Sequence, residues 1–256
     1  ADMGAEKGLQ PISTKTLNGY VNNLSALFTW AQHEEKMTSN PARKLAVAKP
    51  DDDEGARQPF APAQLQAIFS APLYTGCVDD QYGYARPGPN VIRGGRFWLP
   101  LISLHSGLRL NEAAQLLVSD VQFIDETQVI SVCKGSGKRL KTKASERIMP
   151  IHPELIRLGF LDYVEKMRKT KATRLFPDLP AGRNGYFSDP FQKWFSRFLV
   201  QAKARQAGTT FHSFRHNFRD AMREAGIPLE RAKALGGWEG SSGTEAAYGR
   251  GFRAST

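Results

Sequence analysis

The chain has 256 residues, enough for one large domain or two small ones with ample core. Its 41% hydrophobic and 23% charged residues are ordinary for a globular protein, and no apolar run is long enough to span a bilayer or mark a signal peptide. A net charge of +10 favours a polyanionic partner, nucleic acid before anionic membrane, while two distant cysteines, Cys77 and Cys133, give neither a disulfide framework nor a zinc site and fit a reducing cytosol. The opening residues, Ala-Asp-Met-Gly, suggest a piece of a longer protein.

Residues 1–12 read as irregular. From Thr14 an apolar stripe of Leu17, Tyr20, Val21, Leu24, Leu27, Phe28 and Ala31 predicts a helix, capped by Ser13 or Thr14, with Asn40-Pro41 marking a turn beyond its end. One long helix cannot bury such a stripe alone, so residues 1–46 read as part of a larger helical domain. Residues 47–58, VAKPDDDEGARQ, combine Pro, Gly and an acidic run without apolar period and read as a linker. Residues 59–256 then form the second domain. Pro62 stands near the first position of its first helix, with Leu65, Ile68 and Phe69 on one face. Residues 72–95, rich in Gly, Pro, Asp and Tyr, read as a long loop. Phe97 to His105 predicts a buried helix ended by Gly107, and Asn111 is placed to cap the helix that follows. Gln128–Val132 and Glu146–Ile151 predict two strands joined through a turn at Gly135–Lys138. Leu155, Leu158, Leu161, Val164 and Met167 give one amphipathic helix, and Asp189-Pro190 opens another with Phe191, Trp194, Phe195 and Phe198 facing inward. The fold class expected is mainly α with a small antiparallel β-sheet (α+β).

The stretch from Thr210 to Tyr248 carries the densest chemistry. His212 and Arg215 stand three apart in the first turn of a predicted helix, so both side chains can reach one anion. Phe214, Phe218, Ala221 and Ala225 recur with helical spacing toward a core, and Arg219 and Arg223 extend the polar face. Gly226 fits a left-handed cap before a second short helix, a Gly- and Ser-rich loop, and Tyr248. Upstream, Arg109 sits just ahead of a helix, where a cation is mildly unfavourable, a mismatch that points to a nearby anion. The hairpin Lys138-Arg-Leu-Lys141-Thr-Lys143-Ala-Ser145-Glu-Arg147 is dense in positive charge. Each feature alone has a plain reading: a solvated basic face, a packed Trp238 or Tyr248, a first-turn Glu112 that complements the helix dipole.

Taken together and in order, these stretches resemble the tyrosine recombinases, the phage-type integrases. Ser106-Gly-Leu-Arg109-Leu-Asn111-Glu112-Ala-Ala-Gln-Leu116 follows that family's T-G-x-R-x-x-E-x-x-x-L box. Lys141, Thr142, Ser145, Arg147 and Pro150 reproduce its K-T-x-x-S-x-R-x-x-P setting, and His212-Ser-Phe-Arg215, Leu235-Gly-Gly-Trp238 and Tyr248 follow its ending. Three departures stand out. Ala61 occupies a cap where the family usually has Ser or Thr, Asn111 stands where it often has Ser or Thr, and Trp238 to Tyr248 spans one residue more than usual, an insertion falling in the Glu239–Gly243 loop.

The resemblance implies a partial core-binding, DNA-clamping domain at residues 1–46 and a catalytic domain at residues 59–256. It implies Arg109, Lys141, His212, Arg215, Trp238 and Tyr248 as catalytic residues, with Glu112 supporting the site and Lys143 competing with Lys141 for the lysine's role. Lys138, Arg139, Lys143, Arg147 and Arg219 are expected to contact DNA. The residue types suit phosphoryl transfer. A Tyr hydroxyl is a nucleophile once its proton leaves, and two permanently charged guanidinium forks match phosphate oxygens. A neutral His can take a proton, an indole N–H can only donate, and a Lys can protonate a leaving 5′ oxygen. Metal-ligand spacing is absent from the sequence, and neither a metal nor another cofactor is expected. The expected activity is site-specific DNA strand exchange through a 3′-phosphotyrosyl intermediate, with double-stranded DNA as partner, four protomers on DNA and a monomer off it. A cytoplasmic, nucleoid-associated setting of bacterial or phage origin follows, without membrane association. The alternatives are a type IB topoisomerase and a DNA-binding regulator on an inactive scaffold of the same kind.

Overall fold

The computed structural model describes residues 12–48, 57–135, 137–142 and 145–238. The chain divides into two compact units, residues 1–55 and 56–256.

In the first unit, Ser13 caps α1 (Thr14–His33), its Oγ accepting the Thr16 N–H at 3.2 Å. Glu35, with φ 55, turns the chain back. Asn40 then ties the return to the helix, its Nδ2 donating to the Ser25 carbonyl at 3.0 Å while its Oδ1 accepts the Ala42 N–H at 2.9 Å. Asn18 pairs with both backbone groups of Val47, at 2.8 and 2.9 Å. Side-chain amides thus hold this segment where a core would otherwise do so. Along the predicted apolar stripe Ala31 is buried and Leu17, Val21 and Phe28 are partly covered, but Tyr20, Leu24 and Leu27 are half exposed, so the described residues of this unit cover the stripe only in part.

The second unit opens with α2 (Pro62–Phe69). Ala61 cannot cap it, and buried Gln64 compensates by accepting the Ala61 N–H at 3.0 Å and donating to the Ala204 carbonyl at 2.7 Å. The expected long loop contains a short helix, α3 (Pro72–Thr75), and is then folded on itself by Cys77, which bridges to Pro87 and Asn90. Asp79 Oδ1 accepts three backbone N–H groups, from Gln81, Tyr82 and Gly83. The segment is therefore built by polar turn contacts that hydrophobic periodicity cannot reveal.

The buried helix α4 (Gly95–Ser106) crosses the core and packs on α9 (Ser213–Glu224). Aromatic rings fill the space around it. Phe214 lies 4.7 Å from Phe60 and 5.7 Å from Phe195, and Trp98 lies 5.1 Å from Phe160. After α5 (Leu110–Ala114) and a 3-10 turn at Val118–Asp120 comes an antiparallel sheet ordered β1 (Val121–Ile124), β2 (Thr127–Val132), β3 (Arg147–Pro150). β1 goes beyond the two predicted strands. It pairs Ile124 with Thr127 across Asp125 and Glu126, both with positive φ, as a two-residue hairpin turn requires. The single helix predicted from Leu155 to Met167 is two, α6 (Pro153–Arg157) and α7 (Phe160–Lys169), because Gly159 between them takes φ 85. α8 (Ser188–Gln201) starts a residue before the predicted Asp189 cap. α9 and α10 (Leu229–Gly236) follow, with Gly226 left-handed at φ 67 as expected. On α9, Phe214 is buried and Phe218 partly so, but Ala221 and Ala225 are exposed and Met222 takes the inward place.

Candidate active site

Gly107 creates the corner at which Arg109 is presented. Its φ is 62, and a Cβ there would come within 2.3 Å of the Phe218 ring, so the turn between α4 and α5 needs glycine twice over. Arg109, not Asn111, occupies the N-cap of α5, and an arginine cannot accept the free helical N–H groups. Glu112 answers from the third helical position. Its Oε2 accepts the Arg109 N–H at 3.1 Å and its Oε1 accepts Arg109 Nη1 at 2.6 Å. Asn111 instead links elements, donating to Gln115 Oε1 at 3.1 Å and accepting the Phe187 N–H at 3.2 Å.

The same carboxylate receives Arg147 Nη2 at 3.0 Å. Burial opposes the Glu112 charge, but Arg147 and the hydrogen bonds from Arg109 more than offset it and hold the carboxyl below its ordinary range. Arg147, an expected DNA contact, is turned inward in the structure. Its side chain is 5% exposed, and its remaining donors go to the Leu235 carbonyl at 2.8 Å and the Ser145 carbonyl at 2.7 Å. Arg109 differs. Its side chain is 25% exposed, Nη1 also donates to Ser145 Oγ at 3.0 Å, and Nε and Nη2 make no hydrogen bond among the described residues.

The basic hairpin is less uniformly solvent-facing than its sequence implies. Lys138 Nζ sits 2.7 Å from Asp120 Oδ1 and 3.1 Å from Cys133 Sγ, with its side chain 5% exposed, so this second expected DNA contact is also turned inward. Burial opposes its charge, and the bonds to Asp120 and Cys133 more than offset that and raise its pKa. Arg139 lays its guanidinium 5.0 Å from the Tyr186 ring centroid and donates to the Asn184 carbonyl. Lys141 is exposed. Next to it, Thr142 Oγ1 lies 3.2 Å from Ser145 Oγ, the hydroxyl that Arg109 also reaches. Lys143 lies outside the described residues.

Arg215 projects from the first turn of α9 into the interior and is 4% exposed. Its two terminal nitrogens donate to the carbonyls of Gly107 and Gly236, and Trp238 faces its guanidinium at 4.7 Å. It therefore joins the α4–α5 corner to the end of α10. Burial, with Arg109 and Arg147 nearby, lowers its pKa to about 9, so it stays charged at neutral pH. His212, at the N-cap of α9, stacks edge-on with His216 at 5.2 Å. Burial, then the charges of His216, Arg57, Arg215 and Arg109, lowers its pKa to about 4, leaving a neutral imidazole. Arg219 remains half exposed beside Asp220. Trp238 also borders a groove of about 400 Å³ lined by Arg219, Arg223, Ile227, Leu229 and Lys233 among others. Tyr248 and the Glu239–Gly243 loop lie outside the described residues.

Arg109, His212, Arg215 and Trp238, up to 129 positions apart, thus meet at one place, and Lys141 precedes Thr142, whose hydroxyl meets the Ser145 that Arg109 reaches. Gln115 and His216 belong to the same neighbourhood without standing out in the sequence, where an amide gives no periodic or charge signal, whereas Ser145 is carried there by the K-T-x-x-S-x-R-x-x-P setting. The arrangement offers fixed cationic donors and a neutral base, the equipment for stabilising charge on a phosphoryl group in transfer. Among the described residues no group of three or more His, Cys, Asp or Glu is placed to hold a metal, and no helix is long and apolar enough to cross a membrane.

The sequence pattern of the phage integrase family matches residues 98–252. Among curated proteins none matches the chain. Solved structures of the same fold include the Tn1549 transposon integrase in complex with circular intermediate DNA, at 22% identity and TM-score 0.62, covering 95% of this chain and 80% of that one. The XerH site-specific recombinase bound to its palindromic difH substrate matches at 16% identity and TM-score 0.61, covering 88% of this chain and 61% of that one. A lambda integrase dimer bound to a COC′ core site matches at 17% identity and TM-score 0.52, covering 89% and 79%.

Proposed function

The chain belongs to the phage integrase family, the tyrosine-type site-specific DNA recombinases, and on that premise we propose how its own residues share the reaction. Tyr248 attacks a scissile phosphate, forming a 3′-phosphotyrosyl link and releasing a 5′-hydroxyl; a 5′-hydroxyl from a partner duplex reverses the step. Bond energy stays in the covalent link, so the cycle needs no nucleotide. Arg109 and Arg215 hold the nonbridging oxygens, which carry the developing charge. Neutral His212 accepts the Tyr248 proton, Trp238 donates its indole N–H to an oxygen, and Lys141 protonates the departing 5′ oxygen. Glu112 fixes Arg109. Arg219 and Lys143 meet the DNA backbone from the outside, and Lys138 and Arg147 brace the hairpin from within.

The observation that carries this reading is Arg109. It is locked by Glu112 and Ser145 through one nitrogen, and two further donors make no hydrogen bond among the described residues. A purely structural arginine, such as Arg147 beside it, has its donors satisfied within the protein. Residues 1–46 serve as part of a DNA clamp, and four protomers join two DNA sites, assembling from monomers in a bacterial or phage-infected cytoplasm.

The test is Tyr248→Phe on a nicked suicide duplex, resolved on a denaturing gel. The parent is expected to give a covalent protein–DNA band and the variant none, with duplex binding retained. An adduct in the variant removes Tyr248 as nucleophile. No adduct in the parent favours the regulator reading.

A further inference from the structure

Lys141 stands between two fixed points, and both are tied to the caps of α5, Gln115 at its C-cap and Arg109 at its N-cap. Before it, Gln115 closes the helix and grips the backbone of Arg139 with both halves of its amide. Oε1 accepts the Arg139 N–H at 2.9 Å and Nε2 donates to the Arg139 carbonyl at 3.0 Å. Gln115 is 5% exposed, and Asn111 Nδ2 donates to the same Oε1 at 3.1 Å, so the amide has one orientation that satisfies all three bonds. After Lys141, Thr142 Oγ1 lies 3.2 Å from the Ser145 hydroxyl that accepts Arg109 Nη1 at 3.0 Å. Only Leu140 and Lys141 separate the two anchors. A two-point backbone grip is what a neighbouring strand makes in a ladder. Here a single buried side chain supplies it, midway along the loop between β2 and β3. The amide is satisfied only while the hairpin stays seated, and an unmet buried amide is costly, so the grip is stiff.

We propose that Gln115 is a positioning residue for Lys141, holding the hairpin at a set distance from Arg109 so that Lys141 Nζ meets the leaving oxygen of a phosphate bound at Arg109. This rests on the proposed role of Lys141 as general acid. In that step the Tyr248 Oη–P bond forms and the P–O5′ bond breaks. The electron pair of the broken bond stays on O5′, which takes a proton from Lys141 Nζ. If sulfur replaces O5′, a thiolate leaves without needing that proton. A misplaced acid is then bypassed, whereas a fault in phosphate binding or in the nucleophile is not.

The experiment compares single-turnover cleavage of suicide duplexes carrying O5′ or S5′ at the scissile phosphate. It uses the full chain, its Gln115→Met, Gln115→Glu, Lys141→Ala and Lys143→Ala variants, and a thermal melt of each. Gln115→Met keeps the volume and removes all three hydrogen bonds. It is expected to slow oxygen-substrate cleavage by about 10- to 100-fold and to leave the sulfur substrate at the parent's rate. Gln115→Glu retains the acceptor for the Arg139 N–H and is expected to lose less, and it carries the same comparison if the Met variant does not fold. Equal slowing on both substrates, or no slowing on oxygen, overturns the proposal. Failure of sulfur to rescue Lys141→Ala overturns the Lys141 assignment itself, and rescue of Lys143→Ala in its place moves the acid. A rescued Lys141→Ala beside an unrescued Gln115→Met sinks the Gln115 proposal alone.

Discussion

The starts of α5 and α9 each present an arginine to the same neighbourhood, and the two are held in opposite ways. Arg109 is a quarter exposed, steadied through one nitrogen, with two others unengaged among the described residues. Arg215 is buried, with both terminal nitrogens on carbonyls and its face against Trp238. One reaches outward from a fixed wrist; the other is itself a rivet between the α4–α5 corner and the end of α10. Identical side chains thus differ: one keeps two nitrogens without a hydrogen bond among the described residues, while the other's loss would leave two carbonyls unmet.

Exchange to lysine separates the two most sharply. Arg109→Lys keeps a charge near Glu112 and loses the fork, so cleavage is expected to fall about 100- to 1,000-fold with the melting midpoint near the parent's. Arg215→Lys is expected to lose as much rate and also stability, because a single ammonium cannot serve both carbonyls and each buried acceptor left unmet costs about 1–3 kcal/mol. Single-turnover cleavage and thermal melts on both variants check this; equal destabilisation of the two would erase the distinction.

Glu112→Gln probes the mount beneath Arg109. Removing one partner of a buried ion pair costs about 3–5 kcal/mol. The glutamine amide still accepts a hydrogen bond, so about 2–3 kcal/mol is expected in denaturant unfolding. The carboxyl's folded pKa is depressed, so its stabilisation is present above the unfolded value and lost as pH falls through the folded one. Below the ordinary value of 4.5 the parent therefore approaches the variant. A gap unchanged by acid would mean that the charge of Glu112 contributes nothing.

A smaller effect is expected from histidines. His105 and His212 both have folded pKa values of about 4 against 6.5 unfolded, His105 through burial and then the charge of His152. Between those limits the unfolded chain binds more protons, so stability declines as pH falls from 6.5 toward 4. His105 stacks on His152 at 4.5 Å and takes no part in the proposed chemistry. His105→Gln should flatten the acid slope of the melting midpoint without altering cleavage at neutral pH. A slope as steep as the parent's would assign the acid sensitivity elsewhere.

What could be read from sequence follows what is local. α4, its glycine stop, the strand at β2 and the helix at α9 are written in short runs of apolar spacing and a single Gly107 or Gly226. Gly159 had no such clarity, because the apolar period runs straight through it, and only its φ of 85 splits α6 from α7. Charge was the least legible property. Lys138 and Arg147 look like the lysines and arginines around them, yet each is neutralised by a carboxylate 18 and 35 positions away, Asp120 and Glu112. Pairing at that separation exists only after the chain has folded. Gln115 carries neither charge nor period, so its place beside the Lys141 hairpin appears only in three dimensions, whereas Ser145 could be read from its motif but not its bond to Arg109.

The carbonyls at the end of α10 are clamped by two guanidiniums, Arg147 on Leu235 and Arg215 on Gly236. Trp238 follows one residue later, after Gly237. Arg215, the guanidinium proposed to hold a phosphate oxygen, therefore also fastens the backbone from which Trp238 is presented. The site and the end of α10 share one fastening, so a shift of either is felt by the other.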